Sequence, residues 1–465
     1  MSASGTLMLR KNARSAAVRN PRTELFGIPA TDMSIRASRE VQVNPTTTGI
    51  TPISFELTSR SYIDLSKSFI DLEVQFKNAA DGANLAQATR TFLANNLAHS
   101  LFKQLVLRLN GTLITPQTDA YHHLAFIETL LNHDKEDCED ILTMQGFYDC
   151  LDVPDTGDAD AFTANQQDLA HDDYKALPED QKRFILDRVK YLGGNRVSLR
   201  MKPALEVFRL SKLLVPNVQI QLQLYLNDPV MWTIKYHGAI VPRMTQADIS
   251  AKLTLQQVEL QPNVELEIIK RRNAGAPVSY PVVRSAIRTF SLAQDQRDFE
   301  CQDPFYKQVP NRIIVALIKQ TAFNGDNTLN PFFYGKFNLN TVKLTINGEE
   351  YPYRTLELNH NDGDKDIMGY SRFLQATGCM LRGKGNLVKR KDWGHGKRMN
   401  LLAFDTTANN SVDSPVLNPE QTGDVRLLLH FGANPGTNLT VLVYGEFENV
   451  IEIAPNGVVT YDIHS

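Results

Sequence analysis

Residues 103–133 read KQLVLRLNGTLITPQTDAYHHLAFIETLLNH, and the front half of this stretch decides the fold. Leu105, Leu107 and Leu109 alternate with Val106, Arg108 and Asn110 before Asn110-Gly111 turns the chain into TLITP. Period-two alternation around an Asn-Gly pair is a strand, a tight turn and a returning strand. The chain repeats the figure: in TVKLTINGEEYPY, Val342, Leu344 and Ile346 alternate with Lys343, Thr345 and Asn347, and Asn347-Gly348 supplies the turn. The two turns stand 347 − 110 = 237 residues apart.

Other pieces recur in the same order. SFIDLEVQF, with Ile70, Leu72, Val74 and Phe76 on one face, corresponds to RIIVALIKQ around Ile314. RVSLRM from Arg196 corresponds to RLLLHF from Arg426, and VQIQLQLYL from Val218 to LTVLVYGEF from Leu439. The offsets are 314 − 70 = 244, then 237, 426 − 196 = 230 and 439 − 218 = 221. A steady fall is expected if two copies of one β module share strand order and the second has shorter loops.

A chain of 465 residues exceeds one ordinary core, and the repeat divides it in two. The balance of 42% hydrophobic and 22% charged residues, with a mean hydropathy of −0.28, is that of a globular protein. A formal charge of −3 argues against a surface that binds nucleic acid throughout. Cys138, Cys150, Cys301 and Cys379 are scattered and form no CxxC pair, so idle thiols in a reducing compartment are expected rather than a disulfide framework or a zinc site. MSASGTLMLRKNARSAAV has no apolar core of signal-peptide length, and no run approaches a membrane span. Without a secretory route the sequons at Asn110, Asn409 and Asn438 carry no meaning.

In chain order, residues 1–45 read as an arm. Arg10, Lys11, Arg14, Arg19, Arg22, Arg36 and Arg39 outnumber Glu24, Asp32 and Glu40, without sustained periodicity. Such a tail docks on a neighbour or a polyanion, or stays solvated. The first module is expected over 46–240. Within it Asp119 is placed to cap a helix bearing Tyr121, Leu124, Ile127 and Leu131 on one side. Residues 134–187 hold sixteen acidic side chains against Lys135, Lys175, Lys182 and Arg183, which predicts an exposed, solvated excursion. DVPDTGDAD inside it misses the spacing of a calcium loop.

The second module is expected over 241–465, opening with KLTLQQVELQPNVELEIIKRR. Its most basic stretch, LRGKGNLVKRKDWGHGKR, carries Lys389, Arg390 and Lys391, and reads as a nuclear-import signal, a patch for an acidic neighbour, or a solvated loop.

Nothing in the sequence forms a catalytic constellation. There is no GxSxG, P-loop, GxGxxG before a helix, or HExxH. His122 and His123 are adjacent on the expected helix, point to different sides and cannot share a metal in the i, i+4 manner. His133, His237, His360, His395 and His430 are isolated. No enzyme activity, cofactor or metal is expected.

The stretches SRSYIDLSKSFIDLEVQF, KQLVLRLNGTLI, RVSLRMKPALEVF ahead of VQIQLQLYLND, and LTVLVYGEFENVIEI resemble the double jelly-roll major capsid proteins of double-stranded DNA viruses. Within these, the resemblance is nearest to the Polinton (Maverick) and adintovirus proteins, relatives of adenovirus hexon. It covers most of the chain beyond the arm and rests on strand patterns.

The resemblance implies two consecutive eight-stranded antiparallel jelly rolls with small helical insertions. It implies homotrimers forming pseudo-hexagonal capsomers of an icosahedral shell, hence a location in the virion, with synthesis in the cytoplasm and assembly in the cytoplasm or nucleus. The acidic segment would build an outward tower. The arm, with Arg10, Lys11, Arg14, Arg19 and Arg22, would face inward or clasp adjacent capsomers, with the genome, an internal membrane, or minor capsid and penton proteins as candidate contacts. Lys389, Arg390 and Lys391 would meet acid on a neighbouring subunit.

Three alternatives stand beside this reading. A carbohydrate-binding β-sandwich needs exposed aromatic residues, and only Trp232 and Trp393 are available as tryptophans. A minor capsid or penton protein needs only one jelly roll. A cupin or glycosidase on the same fold needs clustered histidines and carboxylates, and the histidines are dispersed.

Overall fold

The computed structural model describes residues 32–47, 51–78, 80–84, 91–115, 119–148, a few positions between 175 and 186, 196–235, 242–243, 248–326, 328–352, 354–358, 366–382, 385–394, 398–410, 412 and 417–461. Arg10, Lys11, Arg14, Arg19, Arg22 and most of the acidic segment lie outside these.

The first module is built from β1 (Ile35–Val43), β2 (Ile53–Thr58), β3 (Tyr62–Val74), β4 (Phe102–Leu109), β5 (Thr112–Leu113), β6 (Val197–Met201), β7 (Gln219–Leu226) and β8 (Ile249–Leu260). These form two antiparallel sheets with strand orders β1-β8-β3-β6 and β2-β7-β4-β5. The second module follows with β9 (Val278–Leu292), β10 (Asp298–Gln302), β11 (Arg312–Lys319), β12 (Leu339–Ile346), β13 (Glu349–Glu350), β14 (Leu402–Asp405), β15 (Val425–Phe431) and β16 (Leu439–Ile453). Its sheets run β9-β16-β11-β14 and β10-β15-β12-β13. Each strand of the second module thus occupies the place of the strand eight before it. Among the shorter strands, Leu356–Glu357 and Val459–Thr460 pair with β12 and β16, and six others form three separate two-stranded pairs. The fold is a double jelly roll.

Alternation sets the burial. In β7, Ile220, Leu222 and Leu224 are buried while Gln219, Gln221 and Gln223 are half-buried. β3 alternates likewise, but β11 is buried on both faces because other parts of the chain cover its outer side.

Three placements differ from the sequence reading. Ile35–Val43, read as arm, is a full strand whose edge position and exposed faces erase the expected alternation. KLTLQQVEL lies in β8 and pairs with β3, so it closes the first module instead of opening the second; that pairing spans well over a hundred residues and leaves no local trace. The later repeat matches also shift. RVSLRM is β6, whose counterpart is the four-residue, wholly buried LAFD of β14. RLLLHF belongs to β15, the counterpart of β7, and LTVLVYGEF to β16, the counterpart of β8.

Two helices shape the junction between the modules. α1 (Tyr121–Asn132) starts after Ala120 without the side-chain cap expected from Asp119, and it is buried on every side except at Asn132. Asp134 caps the next short helix, Lys135–Glu139, in a capping box with Asp137. That turn and the 3-10 turn after it anchor on the core through Cys138, Leu142 and Phe147, while Asp134, Glu136, Glu139 and Asp140 stay exposed, so the front of the acidic segment is solvent-facing but structured. α2 (Pro262–Asn273) joins the modules. Pro262 at its first turn and Lys270, Arg271 and Arg272 in its last suit the helix ends, and none of its residues is buried.

The cores interlock. Phe126, Ile127, Leu130 and Leu131 of α1 pack in one apolar cluster with the second module, while Tyr280 and Val282 of β9 and Ile451 and Ile453 of β16 pack in the first module's cluster. Each such buried side chain contributes about 1.5–3 kcal/mol, so the two modules stabilise one another.

Candidate assembly surfaces

Among the described residues no group of three or more histidine, cysteine or acidic side chains is placed to hold a metal. The histidines foremost in the sequence reading are internal. His122 and His123 lie with ring centroids 4.3 Å apart, each turned to its own partner: His122 Nδ1 stands 3.4 Å from Asn227 Nδ2, and His123 Nδ1 3.2 Å from the Tyr334 hydroxyl. Burial holds His122 down to about 4 and His123 well below its usual value.

The junction between modules carries a buried polar network that sequence reading missed, since its members are far apart in the chain and each sits in an ordinary pattern. Glu128 on α1 is paired with Arg209 and accepts a hydrogen bond from Ser285 Oγ on β9 at 2.7 Å. The Tyr444 hydroxyl on β16 donates to Glu446 at 2.9 Å, and Glu446 is paired with Arg312 on β11 at 2.9 Å. Burial pushes the Glu128 carboxyl up, against the pull of Arg209. Burial also raises Glu206, beside the Tyr461 hydroxyl, to about 7.

Aromatic stacking completes the seam. The Phe126 ring lies 4.2 Å from Phe332 at 11°, and His123 stacks on Phe323 at 5.3 Å. Further along α1, Leu130 O accepts from Leu387 N at 2.9 Å.

The corresponding helix of the second module, α3 (Ile367–Ala376), is only half covered. Gly369, Phe373 and Ala376 face inward, and Gly369 is required there because a Cβ would lie 2.4 Å from Trp393 Cη2. On the other side Ile367 and Met368 are 62% and 57% exposed, and Met380 of α4 (Cys379–Arg382) is 57% exposed with its sulfur 3.8 Å from Ser371 Oγ. In the first module, among the described residues, Glu40, Lys252, Glu73 and Ser198 are exposed on the outer face of β1, β8, β3 and β6, while Thr254 on that face is buried. A cavity of about 310 Å³ opens at its edge between Phe69, Lys202, Ile141 and Met144.

Of the basic stretch, Lys391 is exposed, whereas Lys389 and Arg390 are half-buried. Arg390 Nη1 donates to Trp393 O at 3.0 Å and lies over the Tyr370 ring, so it is tied into its own module. Both tryptophans are buried, which removes them as a sugar-stacking platform.

No protein-family model matches the chain. An uncharacterized protein of Caenorhabditis elegans is 22% identical over 373 residues, covering 77% of this chain and 79% of that protein. Among solved structures, PBCV-1 VP54, fitted into a cryo-EM reconstruction of the virophage Sputnik, matches with a TM-score of 0.59 at 9% identity, over 95% of this chain and 100% of that one. A chain of the Sputnik virophage cryo-EM structure matches at 0.58 and 12% identity, over 97% and 93%. The mavirus major capsid protein matches at 0.53 and 10% identity, over 97% and 96%. The chain therefore shares, along nearly its whole length, the double jelly-roll fold of viral major capsid proteins.

Proposed function

We propose that the chain is a structural major capsid protein, not an enzyme, and that three copies associate into a pseudo-hexagonal capsomer of an icosahedral shell enclosing double-stranded DNA. The observation that carries this is the internal duplication: two modules of one strand order, fused through a buried seam, so that three copies present six similar units around an axis. The full-length likeness to the mavirus major capsid protein supports it. A relative in an animal, Caenorhabditis elegans, fits the narrower assignment to a Polinton-like or adintovirus-like element.

In this reading the protein resides in the virion. Arg10, Lys11, Arg14, Arg19 and Arg22 meet neighbouring capsomers, the genome or an internal membrane, and penton and minor capsid proteins complete the shell. Lys389, Arg390 and Lys391 border a subunit contact or serve nuclear import. Multi-angle light scattering of the purified full-length chain tests the central step. A species of three copies is expected, and a monomer at every concentration would overturn the proposal.

A further inference from the structure

The cavity of about 310 Å³ in the first module lies where the end of β6, the second half of α1 and the 3-10 turn Ile141–Gln145 meet. Its volume falls within the range of small-molecule sites, roughly 300–1,000 Å³. Three cations line it, Arg200, Lys202 and Arg209. Two of them are compensated. Arg200 donates to both oxygens of Asp71, at 2.5 and 3.1 Å, and Arg209 is paired with Glu128. Lys202, half-buried directly after β6, has no ion pair or hydrogen bond from its side chain among the described residues. Asp64, whose field reaches it, is paired with Lys67 at 3.6 Å and accepts from Ser66 Oγ at 2.5 Å. Burial, and then the charge of Arg209, push the Lys202 ammonium down, the response of a cation that lacks a counter-ion. The lining histidines do not alter this balance: His99 is held down to about 4 by burial, and His133 Nδ1 lies 3.0 Å from an Asp137 oxygen.

The remaining wall is largely apolar. The Arg200 guanidinium lies over the Phe69 ring, 5.4 Å from its centroid. The 3-10 turn buries Leu142 and leaves Ile141 and Met144, which also line the cavity, exposed. An unpaired ammonium beside large apolar side chains in one concave site matches a ligand that is anionic at one end and apolar at the other.

We infer that this cavity binds a small amphipathic anion, a medium-chain carboxylate, with its head on Lys202 and its tail among Phe69, Ile141 and Met144. The carboxylate supplies the counter-charge that Lys202 lacks, and the tail covers apolar side chains otherwise left in water. Arg200 and Arg209, already engaged, add positive field, so an amine of the same chain length is repelled. The inference does not depend on the trimeric reading.

Isothermal titration calorimetry of the full-length protein with sodium decanoate tests it, with decanol and decylamine as controls. One decanoate per chain is expected, with both controls weaker by about tenfold or more, since a hydrogen bond to a charged group is at stake. Lys202→Met should weaken decanoate by about the same factor and leave decanol unchanged. Because it removes an unpaired, half-buried charge, its melting temperature should equal or exceed that of the wild type. Met144→Glu, at an exposed position, sets a carboxylate at the cavity and should likewise weaken decanoate; it decides the matter if Lys202→Met does not fold. The assignment is overturned by the absence of saturable binding, by several decanoates per chain, by decanol or decylamine as tight as decanoate, or by undiminished decanoate binding in either folded variant.

Discussion

Asn110 and Asn347, 237 positions apart, make the same bonds in the two modules. Each sits in the left-handed region, at φ 47° and 53°, ahead of a glycine at φ 82° and 86°. Each side-chain oxygen accepts the backbone N–H at the entry to the next long strand of its sheet, Gln219 at 2.7 Å and Asp424 at 3.0 Å. The equivalence covers backbone conformation and hydrogen bonding alike, and it ties the hairpin to β7 in one module and to β15 in the other.

Replacing either asparagine by alanine loses that bond and strains the turn, at a cost of about 2 kcal/mol. Asn110→Ala should lose more than Asn347→Ala, because Asn110 Nδ2 also donates to Gly457 O at 2.7 Å and so binds the first module to the end of the second. Paired urea titrations of the two variants check the ranking; equal losses would contradict it.

Phe126 lies at the seam, stacked on Phe332 and buried among residues of the other module. Phe126→Ala should cost about 3–5 kcal/mol. The interlocked cores make the wild-type chain unfold in one calorimetric transition, and loss of this ring should broaden or split it. Two separate transitions in the wild type would show that the modules are not coupled.

Much of the fold was legible in the sequence, and the failures have a common cause. The hairpins at Asn110 and Asn347, the alternation of β3 and β7 and the presence of a helix after the first hairpin all follow from local pattern. β14 is four buried residues with no alternation, and β1 is an edge strand without a buried face, so neither carries a period-two signal. β8 is recognisable as a strand, but its module is set by its pairing with β3, which no window of sequence records. The Glu128 network joins α1 to strands some 157 and 316 positions away, beyond any motif.

Acid should weaken the fold through its buried histidines. His99 and His122 are held down to about 4 by burial, from an unfolded value of 6.5. Each contributes stability that is present above pH 6.5 and is lost as pH falls towards 4, where the unfolded chain binds protons that the folded chain refuses. Glu206, raised to about 7 by burial, acts oppositely and loses stability as pH rises from 4.5 to 7. Melting temperatures across pH 4–7 should therefore fall toward acid less steeply in His99→Gln and His122→Gln than in the wild type. In Glu206→Gln the fall should steepen. Parallel curves for all four proteins would contradict these assignments.

Arg390 and Lys391 separate structure from assembly. Arg390→Glu removes the bond to Trp393 O and the contact with Tyr370, and should destabilise the second module by about 1–3 kcal/mol. Lys391, in the same 3-10 turn, is exposed. If the basic stretch borders a subunit contact, Lys391→Glu lowers the fraction of trimers at fixed concentration and low salt; an unchanged fraction would remove it from the interface.

In the proposed assembly, duplication within the chain serves to build a six-part unit from three copies. Single-particle cryo-EM of the purified full-length protein tests it most directly. The account predicts a threefold particle with six lobes, in which alternate lobes are the first and second jelly rolls and every lobe follows the strand order 1-8-3-6 over 2-7-4-5. A particle of any other symmetry, or a lone two-lobed chain, would contradict it.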